Sequence, residues 1–158
     1  MRNLTDWEII NSINKGNYND FNLLMDRYKH KAFSLLMRML KNQMDAEEVL
    51  QDAFLKTYYG LKNFRGESQF STWFYKIVYN SAISKLNSRK NKFQNSFISI
   101  DEELKIPFDE KYEIKDENLN TIVNKLMEQL PPNYSAVINL YYLDGYSCEE
   151  IASIMNLS

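Results

Sequence analysis

Asp45-Ala46-Glu47-Glu48-Val49-Leu50-Gln51-Asp52-Ala53-Phe54-Leu55-Lys56, then Phe64-Arg65-Gly66-Glu67-Ser68-Gln69-Phe70, then Ser71-Thr72-Trp73-Phe74-Tyr75-Lys76-Ile77-Val78-Tyr79-Asn80 form the stretch on which the fold turns. In its first part Ala46, Val49, Leu50, Ala53, Phe54 and Tyr58 recur at steps of three and four, the spacing that lines one buried face of an α-helix. Asp45, Glu47, Glu48, Gln51, Asp52 and Lys56 fill the remaining positions. From Ser71 onward, Phe74, Ile77, Val78 and Ala82 make a second core stripe, and Trp73, Lys76, Asn80 and Ser84 lean the other way. Between the two helices, residues 64–70 combine a backbone-permissive glycine, side chains that hydrogen-bond locally, and two phenylalanines that need not both be core. A loop of that composition suits an unstacked nucleic-acid base.

Outward from this stretch the same periodicity continues. Residues 4–13 and 20–40 are predicted as helices, with Lys15-Gly16-Asn17 as the break. Phe21, Leu24, Met25, Tyr28, Phe33, Leu36, Met37 and Leu40 supply a core stripe. His30, between Lys29 and Lys31, falls on its polar side with no acid or nucleophile patterned near it. Towards the C-terminus, residues 119–130 form an amphipathic helix ended by Pro131-Pro132, and residues 134–143 form another ended near Asp144-Gly145. Ser147 is placed as the N-cap of residues 148–155, with Glu150 at the capping-box position.

Composition narrows the class. Of 158 residues 44% are apolar, which excludes a wholly disordered chain, and only 4 are Gly and 3 Pro. With no sustained alternation of period two, this predicts an all-α protein. Asp6 and Glu8 interrupt any signal-peptide core, and no apolar run reaches membrane-spanning length, so a cytoplasmic location is the expectation. One cysteine, Cys148, and one histidine cannot build a disulfide or a zinc cluster, and no metal or cofactor is expected. Charge is unevenly spread: residues 61–98 hold seven basic residues against Glu67 alone, whereas residues 99–118 hold eight acids against three lysines. The first run offers a local basic face for phosphates, although a solvated surface would also explain it. The second, with Pro107 inside it, has the composition of a linker.

The 45–56 and 64–80 runs quoted above resemble region 2 of bacterial extracytoplasmic-function sigma factors, and Gly16-Asn17, Phe21 and Arg27-Tyr28 extend the resemblance towards the N-terminus. Leu130-Pro131, residues 137–142, Asp144-Gly145-Tyr146-Ser147 and Glu150-Ile151-Ala152 resemble region 4, a helix-turn-helix. The resemblance implies a sigma region 2 over 1–90, an acidic linker over 91–118, and a partial region 4 over 119–158. Because the sequence stops at Asn156-Leu157-Ser158, a chain shortened before the recognition helix is the expectation, unable as it stands to read a minus-thirty-five element. Cys148 falls where the family often has an aromatic, which implies a buried or half-buried thiol.

The implied function is a non-enzymatic sigma subunit that binds core RNA polymerase, recognises and melts minus-ten promoter DNA, and is held inactive by an anti-sigma factor. Asp45, Glu48, Gln51 and Asp52 are then the polymerase contacts, an acid-rich face suited to basic side chains on a coiled coil. Melting without fuel requires that an unstacked base be offset by stacking and edge contacts. Phe64 and Trp73 are the candidate aromatics; Ser68, Gln69 and Asn80 reach base edges; Arg65, Lys76 and Lys85 neutralise phosphates. Trp73 and Phe70 also fit a core or hydrophobic-staple role beside a helix start. Two other classes compete: a polymerase-binding regulator or decoy that cannot open promoters, and a small helical enzyme, which lacks a nucleophile-base pair, phosphate loop or metal cluster.

Overall fold

A computed structural model describes residues 3–93 and 116–157, and these form helices and turns with no strand. The run from Asp101 to Glu117, expected as an acidic linker, lies largely outside the described residues. Helix α1 (Asp6–Asn14) starts at a reciprocal cap: the Glu8 amide donates to Thr5 Oγ1 at 3.3 Å and the Thr5 amide donates to Glu8 Oε2 at 2.8 Å. Its Ile9, Ile10 and Ile13 are buried. Asp6 accepts from both Arg27 and Tyr28, and Arg27 also donates to the Leu4 carbonyl at 2.7 Å, so the first turn of α1 is tied to the next helix. The predicted break is real: Gly16 takes φ +107°, open to glycine and strained for other residues.

Helix α2 (Phe21–Leu40), α3 (Gln43–Gly60) and α4 (Phe70–Phe93) pack on one another, and α1 closes over them. Asn42 caps α3 by accepting from the Asp45 amide at 2.9 Å. The expected stripes are core. Ala46, Val49, Ala53 and Phe54 are buried on α3, with Leu50 and Tyr58 half-buried beside them. On α4 Phe74, Val78 and Ala82 are buried, with Ile77 half-buried. Helix α4 nevertheless differs from a one-sided amphipathic helix, because Tyr75 and Tyr79 are buried as well.

The second buried side of α4 has its cause at the other end of the chain. Helices α5 (Asp116–Gln129), α6 (Pro132–Ile138, continued by a π-helical turn over Asn139–Leu143) and α7 (Cys148–Ile154) fold back, α6 against α2 and α7 against α4. Ala136, Leu140, Ile151, Ile154 and Met155 join the same buried cluster as the α2–α4 core. Lys41 donates to the carbonyls of Glu128 and Leu130, placing a cation where the end of α5 leaves carbonyls unpaired. The Ser147–Glu150 capping box forms as expected, with the Glu150 amide 3.2 Å from Ser147 Oγ. Cys148 is a correction: its side chain is exposed, because it opens α7 one turn ahead of Ile151, where the packed face begins.

Tyrosines line the junction between the C-terminal helices and the rest. The Tyr75 and Tyr146 rings lie 5.4 Å apart, edge to face, and Tyr28 lies 6.4 Å from Tyr75. Burial pushes the Tyr146 hydroxyl from 10.0 up to about 12, a hydrogen bond with Ser71 opposing the shift, and burial drives Tyr28 and Tyr75 up further. An unfolded chain loses these protons near pH 10 while the folded chain keeps them, so stability is full below pH 10 and falls as pH rises towards 12. Urea midpoints are expected to drop steeply between pH 10 and 12, with a shallower fall for Tyr146→Phe; equal slopes for both proteins would count against the assignment.

Candidate nucleic-acid interface

The loop between α3 and α4 is built around aromatic rings. After a 3-10 turn over Leu61–Asn63, the Phe64 amide donates to the Leu61 carbonyl at 3.2 Å and the chain leaves extended. Gly66, at φ +72°, reverses it, and the Trp73 amide donating to the Gln69 carbonyl at 3.1 Å starts α4. Phe70 is buried, its ring stacked 6.0 Å from Phe74 and edge-on to Tyr28 at 5.5 Å. Phe64 packs on Trp73 at 4.8 Å and on Phe70 at 6.0 Å, and both Phe64 and Trp73 are half-buried. The indole of Trp73 also covers Gly60, where an added Cβ would sit 3.1 Å from Cη2 and Cζ2.

Two consequences follow for the expected contacts. Phe64 and Trp73 are engaged with each other, so they brace the loop from behind. Arg65, Gly66, Glu67, Ser68 and Gln69 are all exposed, a polar crest held on that aromatic base. On its other side the crest borders a cleft of about 650 Å³, closed by Thr5, Asp6, Trp7 and Ile10 of the first turns of α1. Sequence reasoning passed over Trp7, whose only local signal is a large ring among the polar residues of a helix start.

Along α4, Trp73, Lys76 and Asn80 are spaced i, i+3 and i+7 and therefore share one face, spread over roughly 10 Å at the usual helical rise. Asn80 is exposed, and its Oδ1 accepts from Asn156 Nδ2 at 2.8 Å, so the segment after α7 meets this face. Lys85 is placed differently. Its ammonium lies 3.2 Å from Glu48 and 3.7 Å from Asp45, bridging α4 to α3. Arg89 joins it, paired with Asp45 and donating to the Leu40 carbonyl at 2.9 Å.

The α3 acids separate accordingly. The Asp45 side chain, 24% exposed, is held by Arg89 and Lys85 and acts as a brace between helices. Glu48 is 68% exposed and Asp52 52%, Asp52 being paired along its own helix with Lys56 at 2.7 Å. Gln51 is exposed between them. Three of the four expected polymerase contacts thus share an outward surface. No helix among the described residues is long and apolar enough to cross a membrane.

Known proteins carry the same pattern. Residues 24–92 match Sigma-70 region 2, and residues 121–158 match Sigma-70, region 4. The chain is 37% identical to the ECF RNA polymerase sigma-E factor of Escherichia coli (strain K12), over 97% of this chain and 84% of that one. It is 33% identical to the RNA polymerase sigma-H factor of Pseudomonas aeruginosa, over 95% and 82%. Among solved structures, its fold is similar to that of the sigma factor RpoE in complex with the anti-sigma factor NepR from Bartonella quintana, with a TM-score of 0.63, 20% identity, and 88% and 84% coverage. CnrH in complex with the cytosolic domain of CnrY is also similar, with a TM-score of 0.56, 17% identity, and 95% and 82% coverage. At these identities the structural likeness is one of fold.

Proposed function

Because the chain belongs to the extracytoplasmic-function sigma factors, we propose that it docks core RNA polymerase through the outward side of α3 and contacts unpaired minus-ten DNA with the 65–69 crest and α4. The protein is a sigma factor that directs promoter recognition and DNA melting for transcription initiation, in a family known as non-enzymatic regulators of transcription. The observation that carries the finer reading is the exposed polar crest Arg65–Gln69, mounted on buried and half-buried rings and continued by Lys76 and Asn80. A row of donors and acceptors whose backbone is backed by packed rings supplies contacts to base edges at a reduced ordering cost. Ser68, Gln69 and Asn80 take base edges in this reading, and Arg65 and Lys76 take phosphates. Phe64 and Trp73 act through the crest they support, and Lys85 through its hold on α3.

An anti-sigma factor completes the set of partners. The support is an exposed apolar row on α5, Leu119, Val123 and Leu126, at helical spacing and without cover among the described residues. Region 2 is proposed to span residues 1–90 and region 4 residues 119–158.

The test of the crest is promoter opening by the purified chain on core RNA polymerase, using a template pool with a randomised minus-ten segment. Gln69→Ala and Asn80→Ala are expected to bind core polymerase as the wild type does and to lose open complexes by about 10- to 100-fold, the loss typical of one or two base contacts. Opening within twofold of wild type for both variants would remove the crest and α4 from DNA contact.

A further inference from the structure

We propose that Trp7, on α1, is the stacking platform of the cleft, the ring on which one unpaired DNA base lies while the 65–69 crest holds its edge. This rests on the reading that the crest contacts unpaired promoter DNA. It adds a residue outside the 24–92 span that matches region 2.

Three aromatic residues line the cleft: Trp7, Phe64 and Phe70. Phe70 is 5% exposed, and Phe64 is packed against Trp73 and Phe70. Trp7 is 52% exposed, which leaves it as the ring with area to offer. Bases are held without sequence preference by such rings, since every base has a π-face.

The indole is placed against the loop by contact. A Cβ on Gly66 would lie 3.1 Å from Cζ3 and 3.4 Å from Cη2 of Trp7, so the ring passes where the crest has no side chain. Its backbone is equally fixed. Thr5 and Glu8 cap the helix on either side of it, and the neighbouring Asp6 accepts from Arg27 and Tyr28. A ring held in advance loses little freedom on binding.

The opposite side of the cleft favours a base over a phosphate. Glu67 is the single acid of residues 61–98, and it lines the cleft with Gln69. A carboxylate repels phosphate but accepts from the exocyclic amine of a base, and an amide both donates and accepts. The cleft volume of about 650 Å³ lies in the range that holds small planar ligands.

The test uses the full chain assembled with bacterial core RNA polymerase and fluorescein-labelled single strands dA12, dC12 and dT12, read by anisotropy. Trp7→Ala is expected to weaken the best-bound strand by about 5- to 100-fold, and Trp7→Phe, which keeps a ring beside Gly66, by less than about fivefold. A second readout avoids any loss of fold in the alanine variant. On the free full chain, without polymerase, tryptophan emission is expected to be quenched by an unlabelled strand of the same sequence, and less so in Trp7→Phe, where Trp73 alone remains. Unquenched emission together with wild-type affinity for Trp7→Ala, while Gln69→Ala binds weakly, would overturn the role of Trp7 and leave the crest standing. Wild-type affinity for Trp7→Ala and Gln69→Ala alike would overturn both.

Discussion

Replacing Phe74 by alanine lowers the stability of the chain by about 3–5 kcal/mol, the cost of emptying a phenylalanine-sized site in a packed core. In a chain of this length that loss corresponds to a fall in melting temperature of roughly 6–20 °C. The magnitude follows from where the ring sits. Phe74 is fully buried, stacked on Phe54 of α3 at 5.2 Å and on Phe70 at 6.0 Å, and 5.4 Å from Tyr28 of α2. Its neighbours come from three helices and cannot all move inward, so the cavity persists and its full cost is felt. Phe64→Ala is the proper comparison, since that ring is only half-buried and its removal is expected to cost about half as much. Urea unfolding of both variants checks the order, and a Phe74→Ala loss no larger than that of Phe64→Ala would remove Phe74 from the centre of the fold. The same ring ties stability to function: Phe70 rests on Phe74, and the crest ends where Phe70 begins α4.

Much of this core was legible locally. Three- and four-residue spacing found the stripes of α2, α3 and α4, because one turn of helix brings those positions to one face. Gly16 and the Ser147–Glu150 pair marked a break and a start through backbone chemistry that acts within a few residues. What escaped depends on contacts between distant segments, which leave no period in the sequence. Tyr75 and Tyr79 are buried on a side of α4 that the returning C-terminal helices meet, with Tyr146 set against Tyr75, and Ser81 is buried on the α3 side, where Lys56 donates to its hydroxyl at 3.3 Å. Asp45 and Lys85 carry the charges suited to external partners, yet they meet each other and Arg89 across α3 and α4. Phe64 and Trp73 close on one another around the loop, and Trp7 reaches that loop from about sixty residues earlier. Residue type identified the candidate site, and long-range packing divided it into side chains that face out and side chains that hold them.

That division predicts a separation of affinity from stability on α3. The double reversal Glu48→Lys, Asp52→Lys is expected to weaken binding to core RNA polymerase by about 10- to 100-fold, since each change turns an attraction for a basic partner surface into a repulsion. Both positions are more than half exposed, so the fold should lose no more than about 1 kcal/mol, most of it from setting a second ammonium beside Lys85 in place of a weak surface pair. Asp45→Ala is expected to do the reverse. Its carboxylate is three-quarters covered and paired with Arg89 and Lys85, so its removal takes the carboxylate from a partly covered Arg89 and leaves Lys85 with Glu48. Stability then falls by about 1–3 kcal/mol, and polymerase affinity, measured below the melting transition, changes little. Titration against core polymerase at low and physiological salt, alongside thermal melts, distinguishes the two. The wild-type advantage over the double reversal should shrink as salt rises, because the charges act through solvent. Equal affinity for wild type and double reversal at low salt would place the polymerase contact on another face of the molecule.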